Sequence, residues 1–125
     1  MRKIKKKVIK KKRVPRKGSY KNSKRCSYTS KIAGKVMLDS TWELEYAKYL
    51  DENKIKWKRN LIKFPYHYRN RLCYYIPDFY LIEEDVYIEV KGYQTKRDDA
   101  KWNEFPYKLI ILKKEELIEL GLDIK

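Results

Sequence analysis

Residues 76–91 read Ile-Pro-Asp-Phe-Tyr-Leu-Ile-Glu-Glu-Asp-Val-Tyr-Ile-Glu-Val-Lys, and this stretch constrains the fold more than any other. Its second half alternates. Val86, Ile88 and Val90 take one face of a strand, and Tyr87, Glu89 and Lys91 take the other. A hairpin turned tightly at Glu83-Glu84 brings Ile82 opposite Asp85 and carries the pairing on to set Asp78 opposite Glu89. Directly opposed residues have β-carbons about 5 Å apart, and like charges at that spacing are destabilising. Two carboxylates beside a lysine therefore call for a compensating cation, and Mg²⁺ is commonly held by one or two carboxylates plus water and substrate phosphate. The pairing depends on the turn. Glu-Glu is a poor two-residue loop compared with Asn-Gly, and one added residue would slide Asp78 off Glu89.

The chain of 125 residues suits a single core, and twelve Tyr and three Trp supply the means to bury one although 39% of the residues are charged. No apolar run approaches the roughly 20 residues of a membrane span, and the basic N-terminus lacks the apolar segment of a secretory signal. Cys26 and Cys73 form no Cys-x-x-Cys pair, and His67 is the only histidine, which argues against a zinc site. Two isolated thiols fit a reducing cytoplasm.

The net charge of +15 is unevenly placed: residues 1–38 hold 16 Lys and Arg and no acid, while residues 39–125 hold 16 basic and 17 acidic residues. The division predicts a basic arm over 1–38 and a nearly neutral domain over 39–125. Such an arm suits a polyanion, because Lys and Arg displace condensed counterions from a phosphate backbone. Lys10, Lys11, Lys12, Arg13, Arg16 and Lys17 are its candidate nucleic-acid contacts. Tyr20 and Tyr28 either stack on bases or tack the arm to the core.

Ser40-Thr41-Trp42-Glu43 has the form of a capping box and opens an amphipathic helix running to about Asn53. An extended stretch begins at Ile55–Trp57. A strand over Lys63–Tyr68, a turn at Asn70-Arg71 and a strand over Leu72–Leu81 follow, with Pro77 marking a bulge or an edge in the last. Asp85–Lys91 is the next strand, ended by Gly92. A helix over Arg97–Glu104, a buried strand over Lys108–Leu112 and a helix over Lys113–Leu120, closed by Gly121, complete the order α-β-β-β-α-β-α, an α/β fold with helices packed on a mixed sheet.

In that order, Pro77-Asp78 followed by Glu89-Val90-Lys91 resembles the Pro-Asp…(Asp/Glu)-x-Lys signature of the restriction-endonuclease-like (PD-(D/E)XK) nuclease superfamily. Ser40-x-Trp42-Glu43 is similar to the glutamate-bearing first helix of many members, and the likeness extends over about residues 39–112. Small phage or mobile-element endonucleases with a Ser-x-Trp-Glu helix and a Val-Lys-Gly-Tyr strand end are the nearest in pattern. Mismatch nucleases of the superfamily rely on histidines, which this chain lacks.

The resemblance implies an αβββαβ core, a Mg²⁺-dependent cut of DNA with Mn²⁺ as a substitute, and roles for individual residues. Asp78 and Glu89 would bind the metal with the Val90 carbonyl. Lys91 would orient the attacking water or help deprotonate it, with a lowered pKa beside the cation. Glu43 would complete the acidic cluster, hold Lys91, or serve only as the capping acid. Glu45 projects about 200° away on the helix and cannot share that face. Taken alone, without Pro77-Asp78 at the matching depth, Glu89 and Lys91 read as a solvated strand face. Asp98 and Asp99 read as first-turn helix acids. Gln94, Lys96, Arg97 and Lys101 follow the metal-binding strand and are expected at the rim of the cleft; Arg69 and Arg71 stand at a hairpin tip. The rival readings are a non-catalytic nucleic-acid-binding protein on the same fold, a small ribosome-associated protein, and a branched-DNA resolvase, which would act as a homodimer.

Overall fold

The structure, a computed structural model, describes residues 24–125. Lys10, Lys11, Lys12, Arg13, Arg16, Lys17 and Tyr20 lie outside the described residues. The elements in chain order are β1 (Cys26–Ser30), β2 (Gly34–Leu38), α1 (Thr41–Glu52), β3 (Trp57–Arg59), β4 (Phe64–Tyr68), β5 (Arg71–Tyr75), β6 (Phe79–Leu81), β7 (Val86–Val90), α2 (Lys96–Asn103), β8 (Leu109–Leu112) and α3 (Lys114–Glu119). The fold is α/β. Its centre is a mixed four-stranded sheet in the order β3-β6-β7-β8, antiparallel except for the parallel pair β7-β8.

Alternation along β7 sorts the two faces. Val86, Ile88 and Val90 pack with Tyr46, Ala47 and Leu50 of α1 and with Trp57 and Phe79 in the main core. Tyr87 faces the other way and meets Phe64 and Phe105 edge-on. Every residue of β7 is buried, because α1 covers one face while the β4–β5 hairpin and the segment around α2 cover the other.

The hairpin register is the one the alternation predicts. Phe79 pairs with Ile88 and Leu81 with Val86. The turn differs in form: Ile82–Asp85 make a four-residue loop closed by the Asp85 N–H donating to the Leu81 carbonyl at 2.9 Å, with Asp85 at φ 55°. That left-handed residue supplies the reversal that Glu-Glu alone serves poorly.

Three expectations are corrected. The strand expected over Leu72–Leu81 is two strands in different sheets, split at Ile76–Asp78. Pro77, which has no N–H to give a ladder, is buried at the break, and its carbonyl takes the Asn60 Nδ2 at 3.0 Å. The second hairpin turns at Arg69-Asn70, both at positive φ (52° and 61°), not at Asn70-Arg71. And within the stretch assigned to the basic arm, residues 26–38 form the β1–β2 hairpin. It is tied to α1 through Asp51, whose carboxylate accepts from Tyr28 Oη, from Ser30 Oγ at 2.7 Å and from Trp57 Nε1 at 2.9 Å. Of the two roles open to Tyr28, the structure gives it the tethering one.

Helix ends follow the sequence signals. Ser40 caps α1, and α3 ends in a Schellman motif around Gly121 (φ 89°), with Leu122 N–H bonded to Leu117 and Gly121 N–H to Ile118. No helix among the described residues is long and apolar enough to cross a membrane.

Candidate active site

Asp78 stands one residue before β6, and the β6–β7 register continues to set it opposite Glu89. Its Oδ2 accepts the Val90 N–H at 2.8 Å, in place of the Pro77 carbonyl, which takes Asn60 Nδ2 at 3.0 Å instead. Glu89, 7% exposed, receives the Tyr75 hydroxyl on Oε1 at 2.8 Å. One oxygen of each carboxylate is thus hydrogen-bonded, and the other Asp78 oxygen, Oδ1, faces Arg59 Nη1 at 3.9 Å. Burial raises Asp78 well above the usual carboxylate range, helped by Glu89 and Glu43 and opposed by the Val90 N–H and Arg59. Burial also pushes Glu89 up to about 7, against the pull of Lys91, Tyr75 and Lys101.

Lys91 shares the Glu89 side of the strand by alternation and reaches α2, where its Nζ lies 3.2 Å from Asp98 Oδ1. Lys101 Nζ lies 3.2 Å from the same oxygen, and also sits 5.4 Å over the Tyr75 ring. The second Asp98 oxygen accepts the Thr95 N–H and hydroxyl, so this nearly buried acid caps α2 and holds two ammonium groups together. Burial works to lower the Lys91 pKa, but Glu89 and Asp98 outweigh it and the net shift is upward. The lowered lysine pKa expected beside a cation is not the state of the metal-free protein.

Glu43 is brought to the same neighbourhood from the other face of the sheet. Its N–H donates to Ser40 Oγ at 3.1 Å, so Ser40 caps α1 as expected, but its Oε1 accepts the Asp39 N–H at 2.9 Å and not that of Ser40, so the reciprocal half of the capping box is not made. Burial raises its pKa, opposed chiefly by Arg59. Arg59 Nη1 lies 3.0 Å from Glu43 Oε1 and 3.9 Å from Asp78 Oδ1, and donates to the Asp78 carbonyl at 3.1 Å; Nη2 bonds Asp39 at 3.0 Å. Among the described residues no three His, Cys, Asp or Glu side chains are arranged to hold one metal ion. The acids expected to converge therefore divide: Asp78 and Glu89 share a face, and Glu43 is joined to Asp78 through a guanidinium.

The two sequence signatures touch. A β-carbon at Gly92 would lie 3.3 Å from Trp42 Cζ3, so the helix bearing Glu43 and the strand end bearing Lys91 pack through a glycine that leaves room for the indole. Of the rim residues, Lys96 is exposed; Gln94 is engaged with Asp99 and Lys113; Arg97 lies 4.8 Å over the Tyr68 ring; and Lys101 belongs to the site itself. Sequence reasoning missed Arg59, Tyr75 and the lysine-holding role of Asp98. Only Asp98 left a trace, in the Thr95-x-x-Asp98 capping spacing.

The donor set, all oxygen, suits a hard cation: the carboxylates of Asp78 and Glu89, with Asp78 Oδ1 facing Arg59 at 3.9 Å, and the Val90 carbonyl, which leaves the strand on the same edge as the N–H that Asp78 takes. No protein-family model matches the chain, and neither the curated proteins nor the solved structures give a match.

Proposed function

We propose that this chain is a Mg²⁺-dependent DNA endonuclease that hydrolyses a phosphodiester bond with a metal-activated water. The observation that carries the reading is that the β6–β7 register sets the part-buried Asp78 opposite the buried Glu89, with the ionisation of both disfavoured. A fold gains nothing from that pairing alone, and a cation between them offsets its cost. The order α1-β3-β6-β7-α2-β8, with β4–β5 as an insertion, supports a restriction-endonuclease-like core.

Asp78, Glu89 and the Val90 carbonyl would hold Mg²⁺, or Mn²⁺ in its place. Bound there, the ion would supply an acidified water and neutralise charge on the phosphate. The chain's own residues do the rest. Tyr75 holds Glu89 by donating to it; burial and Glu89 raise the phenol's pKa, so it stays a donor. Lys91 carries its ammonium beside Glu89 and is suited to donate to the attacking water or to a phosphate oxygen, and Asp98 fixes its position. Lys101 adds a second cation at the same carboxylate. Glu43 acts through Arg59, by keeping that guanidinium against Asp78. The cations of residues 1–38 would add affinity for DNA that falls steeply with salt.

The reading is tested by incubating the full chain with linear, nicked, mismatched and four-way DNA, with Mg²⁺ or with chelator. Cleavage of at least one substrate in Mg²⁺ alone is expected. Binding to all four with no cleavage in either Mg²⁺ or Mn²⁺ would favour a non-catalytic binding protein instead.

A further inference from the structure

Five arginines lie among the described residues. Arg25 and Arg59 both pair with Asp39. The other three, Arg69, Arg71 and Arg97, are exposed, and among the described residues none has a carboxylate partner. The fold gathers these three. Arg69 and Asn70 form the turn between β4 and β5, and the residues flanking that turn, Tyr68 and Arg71, are cross-strand partners. Arg97, in the first turn of α2, leans on the same Tyr68: its Cζ is 4.8 Å from the ring centroid, and that of Arg69 is 5.1 Å. Stacking on the ring restrains each guanidinium and leaves its N–H groups free to donate. A two-residue turn with both residues at positive φ favours Asn and Gly, yet here an arginine takes the first place.

Direction matters as much as charge. Arg71, Cys73 and Tyr75 share one face of β5, and Tyr75 is the residue bonded to Glu89. The four-residue step from Tyr75 to Arg71 spans about 13 Å of strand. Over that length duplex DNA presents roughly eight phosphate charges. Guanidinium forks match phosphate oxygens in pairs, and a tyrosine already stacked with two arginines is a poor platform for a base.

We propose that Arg69, Arg71 and Arg97 form a clamp on the backbone phosphates of duplex DNA flanking the bond to be cut, with Tyr68 as its fixed centre. This rests on the nuclease reading above and adds to it the substrate class and the route the duplex takes. The clamp reads no sequence; it sets the distance between the hairpin tip and the scissile phosphate.

The test uses the full chain, in chelator, with a fluorescent duplex titrated over a salt series. Arg71→Ala and Arg97→Ala are measured singly and together. Lys56→Ala, which removes a lysine paired with Glu83 at the far end of the β6–β7 hairpin, is the control. The clamp predicts that the slope of log affinity against log salt becomes shallower by about 0.9 for each arginine and about 1.8 for the pair, with no change for the control. Slopes equal to the unaltered chain, or an equal loss for Lys56→Ala, overturn the clamp and leave the nuclease reading standing if cleavage persists. Failure of the unaltered chain to bind duplex at all overturns both.

Discussion

Arg59 is the residue on which the acids of the site depend most. Its guanidinium faces Glu43, Asp78 and Asp39 at once and is only 14% exposed. Arg59→Met leaves two buried carboxylates without it, and a loss of about 3 kcal/mol or more in urea unfolding is expected, partly recovered by adding Glu43→Gln. Asp98→Asn removes the anchor of Lys91 and Lys101. Cleavage should fall at least tenfold while duplex affinity in chelator changes less than twofold, since the neighbouring cations remain. Glu89 gives the site a pH signature. Its folded pKa, about 7, lies above the ordinary 4.5. As pH rises through that window the unfolded chain ionises freely and the folded chain does not, so stability is fully present below 4.5 and is lost toward 7. Glu43 and Asp78 shift in the same direction. Asp51 and Asp98 shift downward, so their stabilising effect is lost only at pH below the ordinary aspartate range and does not cancel the trend. Thermal unfolding in chelator should therefore show a melting temperature that falls from pH 4.5 to 7, and Glu89→Gln should flatten the curve.

Among the elements, the β1–β2 hairpin hangs on Asp51. Three hydrogen bonds converge there from Tyr28, Ser30 and Trp57. Asp51→Ala should cost about 2–4 kcal/mol. Hydrogen exchange should show protection lost over residues 26–38 while β6 and β7 keep theirs. This element was illegible in the sequence because the surrounding charge is uniformly basic and its partner, Asp51, lies far along the chain on a helix. The β6–β7 hairpin was legible because its period-two pattern fixes which side chains share a face whatever loop closes it. The break at Ile76–Asp78 was only half legible: Pro77 signals that pairing stops, not that the chain changes sheets. Asp78, Glu89 and Lys91 could be read from local spacing. Arg59 could not, since nothing local distinguishes it from its basic neighbours Lys56 and Lys58, and its role arises from β3 lying beside β6.

At the scale of the molecule, the sheet is an insulated platform. Apolar layers cover both faces, and the acids collect where β6 begins and β7 ends, with the cations of α2 and the hairpin tip to one side. On the proposed reading, that distribution lets a nearly neutral domain meet a polyanion: charge is separated along the molecule, not in excess. Trp42 packs on Gly92 where α1 meets the end of β7; a methyl there would stand 3.3 Å from the indole, so Gly92→Ala should displace the ring by a few tenths of an ångström and change stability in urea unfolding by no more than about 1 kcal/mol. The most direct test of the account is single-turnover cleavage of duplex DNA in Mg²⁺ by the unaltered chain and by Asp78→Ala, each at a concentration shown to saturate the DNA. The account predicts cleavage by the first and none by the second, with binding retained by both; equal cleavage by the Asp78 variant would contradict it.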